Sequence, residues 1–241
     1  MGVKTDYKVP QRVLGVRDRS TNQLIRKEIL FELAPRHHLI SVKTSHGQYR
    51  EYNLFFPWMY FVVDAWMITN SKIHDRWMVA PRSKNGYAMT NWNTGNAAIT
   101  RIGVARTQRK SMSAEVHKFV FPNMYGWGPC HRAATLGEKD FKAATDEQLA
   151  ELAVHQWFQL AFNTDMGSSS WPKSAWKTIR TEVQKDVGMD TWKHLNRTKR
   201  LHRMFACWES KNPTDIVNMP YPNTKVSLSG FLSGDMRTKN T

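Results

Sequence analysis

The sequence predicts an α+β protein, with an antiparallel, β-rich N-terminal core followed by a helical C-terminal region and an extended tail. Three observations carry this. The densest apolar run, Leu54 to Ile68, is rich in aromatic and β-branched residues and holds Pro57, which suits strands buried on both faces rather than a helix. From Thr145 the apolar period changes to that of a helix. After Asn212, Pro213, Pro220, Pro222, Gly230 and Gly234 interrupt any regular pattern. Strands followed by segregated helices indicate α+β rather than a doubly wound sheet. The expected divisions are a basic arm over 1–19, a core domain over 20–144, a helical region packed on it over 145–211, and the tail over 212–241.

The arm carries Lys4, Lys8, Arg12, Arg17 and Arg19 with little apolar periodicity. Its opening has no apolar stretch, which predicts no secretory leader. Ser20 or Thr21 is placed to cap a short helix through Leu24, Ile25, Ile29 and Leu33, with a strand over Glu28–Leu33 as the rival. Leu39–Thr44 reads as a strand and Ser45-His46-Gly47 as a turn. Met59–Trp66 reads as the central strand, with Pro57 marking a start or bend. Its Asp64 needs a partner, because a buried carboxylate must be paired or protonated. A short strand is expected over Arg76–Ala80, a loop over Arg82–Gly95, a strand over Ala97–Ala105 and a basic turn over 106–110. Val116–Phe121 has β character and ends at Pro122.

Thr145 and Gln148 have the spacing of a capping box. Leu149, Leu152, Ala153, Gln156, Trp157, Leu160 and Ala161 follow at helical spacing. A second helix is expected from Pro172, with Trp176, Ile179, Val183 and Val187 on one stripe and Gly188 as its stop. A third starts at Asp190 and turns Trp192, Leu195 and Phe205 inward.

Charge supplies the functional expectation. Lys and Arg number 35 against 20 Asp and Glu, a formal net charge of +15. Such an imbalance adds nothing to fold stability and points to a polyanionic partner, nucleic acid first. Lys193, Arg197, Lys199, Arg200 and Arg203 crowd the third helix, joined by His194 and His202. Lys173, Lys177 and Arg180 add charge upstream, and Arg106, Arg109 and Lys110 form a second basic stretch. These residues would neutralise phosphates without reading sequence. Trp92 in the Asn/Gly-rich loop is the leading candidate for stacking on a base, ahead of Tyr87, Trp127 and Trp171.

Other chemistry is sparse. Cys130 and Cys207 form no CxxC pair, so neither a disulfide framework nor a zinc site is expected. The histidines have no HExxH spacing, and no Gly-rich phosphate loop is present. No metal or other cofactor is expected. The apolar run is too short to span a membrane as a helix. The expectation is a cytoplasmic or virion-associated, non-enzymatic subunit of a larger viral or ribonucleoprotein assembly, contacting nucleic acid and other protein subunits. A structural virion protein whose charge meets acidic protein surfaces is a further alternative.

One segment has a catalytic character. In Phe121-Pro122-Asn123-Met124-Tyr125-Gly126-Trp127-Gly128-Pro129-Cys130, the cysteine follows a glycine-containing turn and is flanked by His131 and Arg132. A neighbouring cation favours the thiolate. The segment resembles the Pro-Asn…Gly…Cys signature of E2 ubiquitin-conjugating enzymes and their prokaryotic E2-like relatives, with Phe121 where that family has His. The resemblance covers about residues 20–165 and rests on these few positions. It implies an E2-like cysteine transferase, or an inactive E2-like scaffold. Cys130 would then form the thioester and Asn123 would stabilise the oxyanion.

Overall fold

The computed structural model describes residues 16–17, 24–43, 47–68, 94–130, 133–163, 180–181, 184–185, 188–195, 197–209 and 223–234. The expected strand at 76–80, most of the loop at 82–95 and the start of the second helix at Pro172 lie outside them. Within them the chain is α+β.

Strands β1 (Val16–Arg17), β2 (Leu24–Leu33), β3 (Arg36–Lys43), β4 (Tyr49–Phe56), β5 (Trp58–Ile68), β6 (Thr94–Ala105) and β7 (Glu115–Lys118) come first. A ribbon of β8 (Met124–Tyr125) and β9 (Gly128–Pro129) follows, then β10 (Ala134–Gly137). Helices α1 (Glu138–Ala143) and α2 (Asp146–Phe158) lead to β11 (Ala161–Phe162). Helices α3 (Met189–His194) and α4 (Arg197–Trp208), strand β12 (Lys225–Ser227) and helix α5 (Leu228–Ser233) complete the order. The main sheet runs β1-β2-β5-β6-β7-β12, with β10 also on β6, and the second runs β11-β3-β4. Every pair is antiparallel except β11 with β3.

β5 is the central strand. Met59, Phe61, Val63, Ala65 and Met67 enter the larger core cluster, while Tyr60 and Val62 enter a second cluster on the opposite face. Strand alternation thus divides one apolar run between two cores. Buried Pro57 separates β4 from β5, where the chain passes from the second sheet into the main one. Asp64 is half-buried and faces Glu28 across the β2–β5 pair.

The helix expected through Leu24–Leu33 is a strand. Ile25, Ile29 and Leu33 are four apart, a spacing that satisfies both a helix stripe and one face of a strand. Pairing decides between them, because β2 lies in register with β5 from Arg26↔Trp66 to Leu33↔Met59. The expected third helix is two pieces, α3 and α4, which end and restart between residues 194 and 197.

The tail also differs from expectation. Its described part is not extended coil: β12 pairs with β7, and α5 buries Leu228, Phe231 and Leu232 over the second core. Ser227 caps this helix through Gly230 N–H, 3.1 Å, and Gly234 closes it in the left-handed region. Arg101 donates to the Leu232 carbonyl at 2.9 Å, at the helix end where a cation is favoured. Of the residues that suggested coil, Gly230 lies within α5 and Gly234 closes it, while Pro213, Pro220 and Pro222 lie outside the described residues.

α2 forms as its pattern requires. Gln148 N–H donates to Thr145 Oγ1 at 3.2 Å, and Thr145 N–H donates to Gln148 Oε1 at 2.7 Å, a complete capping box. Leu149, Ala150, Ala153, Val154, Trp157 and Phe158 are its buried side, packed over the main sheet.

Opposite Val62 and Val63 the register slips, so Thr100 is an extra residue in β6. The β8–β9 ribbon docks there: Ile102 N–H donates to Trp127 O at 2.7 Å. A Cβ on Gly128 would stand 2.5 Å from the Thr100 carbonyl oxygen, so the approach requires glycine. Gly128→Ala is expected to cost roughly 1–3 kcal/mol through this overlap. A denaturation midpoint equal to wild type would show that the ribbon does not sit this close.

Candidate nucleic-acid interface

β4 is an outer strand of the second sheet, and its side chains alternate from Glu51 to Phe56. Tyr52, Leu54 and Phe56 are buried, whereas Tyr49, Arg50, Glu51 and Asn53 are exposed. α4 packs across it. Leu201, Met204, Phe205 and Trp208 form the helix's buried side, and Phe205 stacks on Tyr52 with ring centroids 5.5 Å apart. The end of the helix is fastened by a Leu54↔Glu209 bridge and by Asn53 N–H donating to Glu209 Oε1 at 3.2 Å.

This docking leaves the basic side of α4 outward. Lys199 and Arg203 are exposed and Arg200 is half-buried. Arg50 joins them from the strand, its guanidinium 5.5 Å from the centre of the Tyr52 ring. Beneath, the Tyr52 hydroxyl meets His202 Nδ1 at 2.7 Å. Burial raises the Tyr52 pKa above its ordinary value, and Glu209 adds to this, while Arg50 and Arg203 oppose it. Burial lowers that of His202, and the Arg50 charge lowers it further. Two cations from elements 153 positions apart in sequence (Arg50, Arg203) therefore act on one tyrosine. Tyr49, 61% exposed, adds an uncovered ring at the start of β4.

The other expected binding residues do not all converge here. Arg197 lies in α4, with only its backbone place described. Lys193 is within 3.4 Å of Asp190, which offsets its charge. Arg180 is exposed and reaches Met189 Sδ at 3.9 Å. Lys173, Lys177, Trp92, Tyr87 and Trp171 lie outside the described residues. Trp127 is half-buried against Phe231, ring centroids 5.7 Å apart, so its ring serves the second core.

The basic turn is anchored on the other side of the main sheet. Arg109 N–H donates to the Tyr60 hydroxyl at 2.6 Å, and Tyr60 belongs to the second core. Gln108 donates to Glu32 at 2.6 Å and fixes the same turn. Arg106 and Lys110 are exposed there and Arg109 is half-buried. The main sheet therefore separates these cations from those of α4, which packs on the first core.

Arg50, Tyr52 and Tyr49 escape a reading of the sequence. Alternation along β4 marks Tyr49 and Arg50 only as part of a strand end. Nothing local signals that a helix 150 positions away brings His202 to Tyr52.

In the segment Phe121 to Cys130, Asn123 adopts φ 60° and its carbonyl accepts from Cys130 N–H at 2.6 Å. Its Oδ1 accepts from Asn163 N–H at 3.4 Å. Cys130 is a free, exposed thiol, while His131 and Arg132 lie outside the described residues. Phe121, at the position of the family's His, is fully buried.

Among the described residues no three His, Cys, Asp or Glu side chains gather as metal ligands. Among them, too, no helix is long and apolar enough to cross a membrane. No protein-family model, curated protein or solved structure matches the chain.

Proposed function

We propose that this is a basic, non-enzymatic nucleic-acid-associated protein that holds phosphates on the β4–α4 surface. It would act as a cytoplasmic or virion-associated subunit of a larger viral or ribonucleoprotein assembly. The observation that carries the reading is the packing of α4 on Tyr52, which brings the helix bearing Lys199, Arg200 and Arg203 against the strand whose Arg50 guanidinium lies 5.5 Å from the same ring. Cations held by two packed elements are pre-positioned, so little side-chain entropy is lost when a phosphate arrives. The net charge of +15 supplies long-range attraction to a polyanion. Arginine geometry suits phosphate oxygens, and Tyr49 offers a face for a base. The contacts are to backbone phosphate, so binding is expected to be indifferent to sequence.

The purified protein is expected to carry nucleic acid, visible as a raised 260/280 nm absorbance ratio that falls after a high-salt wash. Reversing Arg50 and Arg203 together to Glu is expected to weaken oligonucleotide binding by at least tenfold at moderate salt. Affinity retained in that variant would remove the reading.

The exposed, disulfide-free thiol of Cys130, a residue whose backbone N–H donates to the Asn123 carbonyl, favours a second reading: an E2-like cysteine transferase or a scaffold derived from one. It requires a thioester adduct that Cys130→Ser abolishes. A thiol inert to alkylation at neutral pH would speak against it.

A further inference from the structure

We propose that polyanion binding at the β4–α4 surface is coupled to protonation of His202, so that the protein holds phosphate more tightly as the medium acidifies. This rests on the reading of that surface given above. The geometry is specific. The His202 ring is half-buried, with Nδ1 against the Tyr52 hydroxyl at 2.7 Å and Nε2 buried without a hydrogen-bond partner. Arg50 faces the pair from β4, and Arg203 follows His202 on α4. Glu209, at the end of the helix, acts on Tyr52 and is engaged by Asn53 N–H.

Without a phosphate nearby the imidazole is therefore a poor place for a proton. A charge there is partly stripped of water and stands beside the Arg50 cation. A phosphate bridging Arg50 and Arg203 reverses the local field. It cancels the repulsion, and a negative charge close to the ring then favours imidazolium. The proton comes from solvent, and on binding Nδ1 passes from accepting the Tyr52 hydrogen to donating its own. Linkage is reciprocal: the factor by which phosphate raises the proton affinity of His202 is the factor by which the proton raises phosphate affinity. The sign follows. The free-state pKa lies below the ordinary histidine value and the bound-state pKa lies above the free one. Affinity is flat above the bound-state pKa, rises as pH falls between the two, and is flat again below.

The test uses the full chain and a fluorescently labelled thymidine homopolymer of about twenty nucleotides, at pH 7.5 and 6.0 and one fixed salt concentration. Wild type is expected to bind about threefold more tightly at the lower pH than His202→Gln does, after each is referred to its own pH 7.5 value. Equal pH dependence in the two proteins would overturn the coupling. A parallel measurement avoids any folding defect of the variant: the His202 ring titration in wild type by NMR, with and without the oligonucleotide. Its midpoint is expected to rise on binding, and an unchanged midpoint contradicts the proposal. If wild type binds and the Arg50→Glu/Arg203→Glu protein does not, but His202 titrates identically in both states, only the coupling falls. If wild type binds at neither pH, the surface reading falls with it.

Discussion

Phe121→Ala is expected to cost about 3–5 kcal/mol, a large part of the roughly 5–15 kcal/mol that holds a domain folded. The ring of Phe121 is where the parts of the molecule meet. It lies 5.6 Å from Phe56 of β4, 5.9 Å from Trp157 of α2 and 4.8 Å from Phe162 of β11. It lies 5.3 Å from Phe205 and 6.2 Å from Trp208, both in α4. Removing it opens a cavity bounded by the second sheet and two helices, which cannot all move inward together. Urea denaturation of wild type and variant checks this, with the midpoint expected to fall by about 1–2 M. A loss under about 1 kcal/mol would mean that these contacts are not the joint described. Because α4 is among the parts joined, the variant is also expected to lose oligonucleotide affinity.

Acid is expected to destabilise the fold through His38. Its ring stacks on Phe158 of α2 at 3.5 Å and meets Phe56 edge-on, with Nε2 buried and unbonded. Burial, then the charges of Arg36, His155 and His37, push its pKa down from 6.5 to about 4. Folding therefore opposes protonation, and the unfolded chain takes up the proton first. The stabilisation is complete above pH 6.5, declines as pH falls from 6.5 to about 4, and is gone below. The shift corresponds to at most about 3 kcal/mol, and partial wetting of the ring reduces it to about 2 kcal/mol. Replacing His38 with Phe removes the titration. Thermal midpoints at pH 7.5 and 4.5 should therefore fall further in wild type than in His38→Phe. Equal falls would mean that His38 is not shielded as described.

Much of this architecture is written locally in the chain. The central strand is legible because its apolar side chains are too dense for one face, and β5 divides them between two. The start of α2 is legible because Thr145 and Gln148 satisfy each other within one turn. What cannot be read locally depends on pairing. β2 resembles a helix until β5 lies beside it, and β12 resembles coil until β7 offers an edge. The arginines of α4 stand out by their spacing, yet Arg50 and Tyr52 become part of the same surface only through folding. The basic turn at 106–110 illustrates the converse. Its charge marks it as a second basic stretch, but only the fold shows that Tyr60 fixes it on the opposite side of the main sheet from α4.

The central claim is that Arg50 and Arg203 hold nucleic-acid phosphates together, and the salt dependence of single-stranded oligonucleotide binding tests it most directly. Log affinity against log salt is expected to be linear and steep for wild type. Arg50→Gln combined with Arg203→Gln is expected to shallow the slope by about 1.4, or roughly 0.7 for each phosphate contact removed. An unchanged slope in the doubly substituted protein would contradict the account.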